Sequence, residues 1–364
     1  MNQSLDILWA QLKDYDIVSG ERPGLLHDSA PWYIKIILGF SGWFAAAFLI
    51  AFIGSLFSWL VNSAGASFLL GCGVLGIAIF TLHKHHNDFT EHLGIAFSLA
   101  GQALILWGVV SAFGESIRLC ALIMLSVEIF LVLTVNNFIH RIFSSFAACS
   151  AFYIMTNFGD FESLFRGTLI DTLSITAFAL LSAWLWLNEF KFIYTSIGTR
   201  AVAWGVTIAL VVFESAAILQ HTHRTLNSSH NTVFSDFTWI TEGTLVGVLI
   251  WVTYRVLLGF PRISGAFKSA IYFGLLGFGV LATQAPGIII GLILILLGFH
   301  QQHRVLQGIG LLSLIIYLSR YYYLLEHTLA FKSAILALTG IVLLIIRSAI
   351  NYFARSDEVS VAPS

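Results

Sequence analysis

The chain alternates long apolar stretches with short polar connections. A helix needs about 20 apolar residues to cross the roughly 30 Å hydrocarbon core of a bilayer, and the pattern predicts about twelve such helices. Because backbone polar groups in lipid must be bonded within their own segment, the predicted fold class is all-α, a polytopic membrane bundle. The predicted spans are 34–60, 64–82, 93–113, 117–136, 141–157, 167–187, 200–220, 238–258, 266–283, 286–300, 304–324 and 331–353.

The polar remainder of the chain is too short to form a separate soluble domain. Residues 1–32 are predicted to form an amphipathic cytoplasmic segment, 33–353 the transmembrane bundle and 354–364 a cytoplasmic tail. The opening residues lack the pattern of a cleavable signal peptide. The first apolar stretch is therefore expected to be retained as a membrane helix.

Lysine and arginine divide unevenly between the two sets of connections. With the N-terminus in the cytoplasm, thirteen of the 18 basic residues lie on the cytoplasmic side, and the other five lie outside. This distribution satisfies the positive-inside rule for an even number of spans. Both termini are therefore predicted to be cytoplasmic. The five outer residues are Arg118, Arg166, Arg224, Arg320 and Lys332.

Composition narrows the functional classes. The chain is 58% hydrophobic and 10% charged, with a net charge of −1, so it has no basic surface for nucleic acid and its expected surroundings are membrane lipid. The three cysteines lie in apolar runs, and the histidine-rich loops match no fixed ligand spacing, so no metal site is predicted. Hydrolase, P-loop and dinucleotide motifs are missing from the sequence, so we expect neither a cofactor nor an enzyme.

Several polar side chains lie inside the predicted spans. Glu128 lies near the middle of LCALIMLSVEIFLVLTV, where a carboxylate costs about 2.5–3.5 kcal/mol on insertion scales, so it must be protonated or partnered by another helix. Gln102, Tyr254 and Arg255 are possible partners. Such an acid serves either as the titrating group of a proton-coupled transporter or as one interhelical hydrogen bond. The intramembrane polar candidates are Glu128, Glu214, Gln102, Arg255 and Glu242.

Two of the spans carry polar stripes at helical spacing. In 200–220 the stripe includes Trp204, Thr207 and Glu214, and in 304–324 it includes His303 and Tyr317. Each stripe is expected to face protein or water rather than lipid. Whether the two stripes face each other across water or face packed neighbours in the folded protein bears directly on function.

A group of polar and aromatic residues follows the second stripe. It reads either as an interfacial aromatic anchor with a local ion pair, or as the outer mouth of a polar path and a surface for a partner. The residues are Arg320, Tyr321, Tyr322, Tyr323, Glu326 and Lys332.

Two segments of the sequence are similar to each other. Residues 71–99 and 291–314 both predict a hairpin with an HxxH turn followed by a glycine-bearing helix. They indicate either a parallel internal repeat or convergence of two glycine-rich apolar hairpins.

Four stretches resemble bacterial membrane proteins catalogued as domain of unknown function 4401. They are PWYIKIILGFSGWFAAAFLIAFIG, AGQALILWG, NNFIHRIFSSFAACSAF and YYYLLEHTLAFKSAILALTGIVLLIIR. The resemblance runs nearly end to end and implies a multi-pass protein of the bacterial inner (plasma) membrane. It also implies a possible partner, a small exported protein named for its GDYXXLXY motif. The resemblance implies no catalytic or binding role for any residue of this chain.

Two functions are compatible with these patterns. The first is a transporter-like bundle whose titrating groups are Glu128 and Glu214, which requires a polar cavity that reaches one of them. The second is a non-transporting scaffold or assembly subunit that binds the exported partner through its outer surface. The sequence leaves the oligomeric state undetermined.

Overall fold

The computed structural model describes residues 9–15, isolated positions between 37 and 55, and 63–84, 88–157, 169–189, 191, 196–227, 238–259, 265–282 and 287–324. In these ranges the chain forms ten helices of 13 residues or more and no strand. They are α1 (Ala64–Lys84), α2 (Asp88–Phe113), α3 (Ile117–Thr134), α4 (Phe138–Asn157), α5 (Leu169–Leu187), α6 (Ser196–Asn227), α7 (Thr238–Leu257), α8 (Gly265–Ala282), α9 (Ile288–His300) and α10 (Arg304–Leu324).

The all-α class is confirmed for this part of the chain, and each of the ten helices coincides with one predicted span. Six of them, α1, α2, α3, α4, α6 and α7, contain a segment long and apolar enough to cross a membrane. The predicted spans 34–60 and 331–353 lie mostly or wholly outside the described residues. The total of about twelve spans therefore stays a prediction.

The distribution of apolar and polar side chains is that of a protein surrounded by lipid. Large apolar side chains are exposed on the outside of the helices, as for Leu133, which is 74% exposed, and Phe273, which is 76% exposed. Ionisable side chains are buried instead, as for Glu128, which is 1% exposed. A soluble protein of this size rarely exposes so much apolar surface. The exposure pattern and the long apolar helices indicate a membrane protein.

Short polar residues define where the middle helices begin. At the start of α3 the Leu119 N–H donates to Ser116 Oγ at 3.4 Å, and at the start of α4 the His140 N–H donates to Asn137 Oδ1 at 2.9 Å. Such side chains satisfy backbone donors that have no partner within the helix. The chain thus reverses between α3 and α4 over three residues.

The described residues divide into one compact unit up to Ser111 and another from Ala112 onward. In the first unit α1 and α2 pack with their backbones close together. A Cβ atom added at Gly71 would lie 2.8 Å from the Ile105 backbone nitrogen, and one at Gly101 would lie 2.9 Å from that of Leu75. Small residues permit this close approach of membrane helices.

In the second unit, α4 packs against α3, α5 and α6, while α7 contacts α5, α8 and α9. α9 pairs closely with α10. The centre of the unit is apolar and includes the buried side chains of α9. The largest fully buried side chains of the unit include Trp186, Leu210, Leu245, Leu249, Ile293 and Leu297.

The α9–α10 hairpin repeats the glycine packing of α1 and α2. A Cβ atom at Gly310 would lie 2.7 Å from the Ile295 backbone nitrogen and 2.9 Å from the Gly291 carbonyl oxygen. The turn between the helices is tight, with Gln302 at a φ of 52° and the His303 N–H donating to the Gly298 carbonyl at 2.8 Å. The proposed internal repeat itself stays a prediction.

We expect the Gly310→Ala variant to be less stable than the wild type by about 1–3 kcal/mol, because the added methyl group meets backbone atoms that cannot move aside. Gly308→Ala is the matched control, since a Cβ atom there has nothing within 4 Å. Thermal unfolding in one detergent would compare the two variants. Equal melting temperatures would contradict the close packing of α9 and α10.

Candidate functional site

The two predicted polar stripes meet in the structure. Near one end of the bundle the rings of Trp204 on α6 and His303, just before α10, lie 5.3 Å apart. Towards the other end, the hydroxyl groups of Ser215 on α6 and Tyr317 on α10 are 3.1 Å apart. The stripes therefore face each other through direct side-chain contact.

Two buried carboxyl groups lie within electrostatic range of each other at the Tyr317 end of these stripes. Glu214 on α6 and Glu242 near the start of α7 are both almost inaccessible to solvent. Two like charges in a medium of low dielectric constant repel strongly, so holding one proton between the pair costs less than ionising both groups. The pair is therefore suited to binding a proton.

The backbone of α9 contributes a hydrogen-bond donor to this pair. The Gly287 N–H, immediately before α9, donates to Glu242 Oε1 at 3.2 Å. Gly287 has a φ of 90°, and a Cβ atom there would lie 2.7 Å from the Tyr317 ring, so both its backbone conformation and its surroundings favour glycine. A helix N-terminus carries partial positive charge and so stabilises a carboxylate.

The N-terminus of α9 lies within the thickness of the bundle. α9 has 13 residues, which gives a length of about 20 Å, less than the hydrocarbon thickness. Gly287 contacts Tyr317, and α10 continues for about two further turns beyond that residue, to Leu324. The predicted span 286–300 is therefore a short helix that begins inside the bundle.

Tyr317 and Arg320 complete what we call the carboxyl cluster, made of Glu214, Ser215, Glu242 and Gly287 together with these two residues of α10. The Tyr317 hydroxyl is buried and lies within electrostatic range of both carboxyl groups and of the Arg320 guanidinium. Arg320 is half-buried. The cluster thus combines two acids that can exchange protons with a phenol and a hydroxyl that can donate or accept hydrogen bonds, and with the nearby positive charge of Arg320.

Threonine hydroxyls fix the helix that carries Glu242. Thr172 and Thr176 of α5 pair with Thr241 and Thr244 of α7, and the second pair is 2.8 Å apart. Hydroxyl pairs of this kind link membrane helices at a modest gain in free energy. Because Thr241 and Thr244 flank Glu242 in sequence, they hold the first turn of α7 in place.

Glu128 forms a separate site between α3 and α4. Its carboxyl group lies near the Ser144 hydroxyl of α4, and neither Glu128 Oε2 nor Ser144 Oγ has a hydrogen-bond partner within the described part of the chain. Two of the residues predicted as partners of Glu128 lie on α7. Tyr254 is half exposed, and Arg255 lies within electrostatic range of His300.

The remaining candidate residues are not assembled into one site. Gln102 donates from Nε2 to Ser98 Oγ on its own helix at 3.2 Å. Arg255 is in the last turn of α7, about 20 Å along that helix from Glu242.

Of the predicted outer residues, the structure describes the side chain of Arg320 alone. Tyr321, Tyr322 and Tyr323 have helical backbone in α10, and their side chains are outside the described part of the structure. Glu326 and Lys332 lie outside the described residues. The predicted outer mouth therefore stays a prediction. Among the described residues, no three His, Cys, Asp or Glu side chains are grouped as metal ligands.

A cavity of about 340 Å³ lies at the opposite end of α10, lined by residues that include neither Glu128 nor Glu214. The predicted polar cavity that reaches one of these acids therefore stays a prediction.

The sequence assigns no role to three residues that lie beside these acids. Ser144 follows His140 by four residues, a spacing that places both on one helix face, and Ser215 follows Glu214 directly. The Pro286-Gly287 pair before an apolar run is a turn signal, yet it gives no indication of a carboxyl partner.

We expect Glu242→Gln to be more stable than Glu242→Leu by about 1–3 kcal/mol, because a glutamine oxygen can still accept the Gly287 N–H, whereas leucine leaves that donor buried and unpaired. Thermal unfolding of both variants in the same detergent is the measurement. Equal stability of the two variants would mean that this hydrogen bond contributes nothing.

Searches of curated proteins and of solved structures gave no match. A family profile did match, and its description is "Domain of unknown function (DUF4401)". The match extends over residues 31–353 and so includes every described helix from α1 to α10. The chain therefore belongs to the DUF4401 family of proteins.

Proposed function

We propose that this protein is a proton-coupled, transporter-like bundle, and that the Glu214–Glu242 pair of the carboxyl cluster is its titrating group. The observation that carries the proposal is the hydrogen bond from the N-terminus of a short helix that begins inside the bundle to buried Glu242, with the buried Glu214 within electrostatic range. We place the protein in the bacterial inner membrane with both termini in the cytoplasm, as the lysine and arginine distribution favours.

Support comes from the geometry that known transporters share. Their ion and substrate sites lie near the bilayer midplane, where interrupted helices direct their N-termini at anionic groups. α9 has this relation to Glu242 through the Gly287 N–H. Because buried ionisable groups in membranes are costly, they are retained mainly where function requires them.

In the proposed mechanism, the Glu214–Glu242 pair binds and releases one proton beside the N-terminus of α9. With one carboxyl group protonated, repulsion within the pair is relieved and the Gly287 N–H holds the remaining carboxylate. Loss of the shared proton restores repulsion between α6 and α7, and movement of α7 against the start of α9 would relieve it. Such a movement would couple proton release to a change in helix packing.

The alternative is a membrane scaffold that binds an exported partner such as a GDYXXLXY-motif protein. Its predicted surface consists mostly of residues outside the description, including Glu326 and Lys332. No contact among the described residues favours it over transport, and it stays a prediction.

A direct test is proton influx into vesicles that contain the full chain and an internal pH-sensitive dye. An inside-negative potassium diffusion potential provides the driving force. We expect faster influx than in empty vesicles, and we expect Glu242→Gln to reduce it to the empty-vesicle rate, since an amide cannot bind and release the proton.

Glu128→Gln is the matched control, because it neutralises another fully buried carboxyl group outside the carboxyl cluster. We expect this variant to retain wild-type influx. Influx that depends on Glu128 and not on Glu242 would place the titrating group between α3 and α4 and contradict the proposal. Influx into wild-type vesicles no faster than into empty vesicles would reject the proposal.

A further inference from the structure

The cavity at the turn between α9 and α10 has a lining unlike the apolar centre of the bundle. Its volume is about 340 Å³, and the last turn of α7, the end of α9 and the start of α10 surround it. The lining residues are Val256, Phe299, His300, Gln302, Arg304 and Gln307. Its location separates it from the carboxyl cluster, since Gln307 and Tyr317 are about 15 Å apart along α10.

Positive charge accumulates at this cavity without a compensating acid. Arg304 lines it, and the guanidinium of Arg255 lies within electrostatic range of the lining residue His300. In the part of the chain that the structure describes, neither arginine has an ion-pair partner, and none of the lining residues is acidic. A cation without a counterion in a concave site, with a second positive charge near its lining, attracts an anion.

Neutral hydrogen-bond donors lie beside this charge. The side-chain amides of Gln302 and Gln307 can each donate two hydrogen bonds. At the start of α10 the Leu306 N–H donates to His303 Nδ1 at 3.4 Å and the Gln307 N–H donates to the His303 carbonyl at 3.1 Å. The N–H groups of the first two residues of α10 have no acceptor within the helix. Guanidinium groups and several N–H donors around one cavity match the oxygens of a phosphate group.

Exposed apolar side chains lie at the cavity and next to it in sequence. Phe299, which lines the cavity, is 59% exposed, and Val305, which follows the lining residue Arg304, is 60% exposed. Apolar side chains beside a basic cavity at the end of a membrane helix can contact acyl chains while the charged group lies in the cavity. Basic pockets between membrane helices bind anionic lipid headgroups in this way.

We propose that this cavity is a binding site for a phosphate group, contributed either by the headgroup of an anionic phospholipid or by free phosphate. Arg304 is the principal contact, with Gln302, Gln307 and His300 as further ligands. The exposed Phe299 and Val305 favour the lipid as the source.

Native mass spectrometry of the full-length protein tests the lipid source, with phosphatidylglycerol or phosphatidylcholine added in a mild detergent. We expect phosphatidylglycerol to be retained in preference to phosphatidylcholine, and Arg304→Gln to weaken its binding about tenfold, which corresponds to about 1.4 kcal/mol. Thermal unfolding with added inorganic phosphate tests the other source. Stabilisation that is lost in Arg304→Gln, without preference between the lipids, would assign the site to free phosphate.

Lys268→Gln is the matched control, because this variant removes a positive charge from α8, outside the cavity lining. We expect it to bind as the wild type does. Melting temperatures without ligand check that each variant is folded, and Arg255→Gln provides a second variant that lowers the charge at the cavity. Equal weakening by Arg304→Gln and Lys268→Gln, or no effect of Arg304→Gln on either ligand, would overturn the proposal.

Discussion

The need to shelter carboxyl groups from lipid is the constraint on which the arrangement of this bundle depends. Glu128, Glu214 and Glu242 are all buried by neighbouring helices, while leucine and phenylalanine side chains cover the outside. A buried charge that is neither paired nor bonded costs several kcal/mol. Each acid therefore requires a specific neighbour, and at Glu242 that neighbour is the backbone of Gly287, directly before α9.

Close packing between glycine-bearing helices makes this arrangement possible. α9 can pair with α10 over its whole length because Gly291 and Gly310 let the two backbones approach each other. The same contact sets the register that places Gly287 beside Tyr317. One hairpin therefore determines two sites: its start lies at the carboxyl cluster, and its turn forms the basic cavity.

The sequence predicted the helices well because their signal is local. Apolar stretches of about 20 residues identify membrane helices whatever their neighbours, and all ten described helices coincide with predicted spans. The inward direction of Glu214 and Tyr317 also followed from helical spacing alone. By contrast, the possible partners suggested for Glu128 were Gln102, Tyr254 and Arg255, and the structure places it near Ser144 of α4. Hydrophobicity specifies that a helix lies in the membrane, but it does not specify which other helices pack against it.

The sequence by itself determined the class of protein, the approximate positions of the described helices, the family and the identity of the acids that need shelter. The tertiary structure decided that Glu214 and Glu242 lie within electrostatic range of each other, that α9 begins inside the bundle, and that Arg304 lines a cavity whose lining residue His300 is near Arg255. These relations join residues that are 28 to 49 positions apart in the chain. They depend on which helices pack together, and side-chain packing, rather than local hydrophobicity, selects helix neighbours in a bilayer.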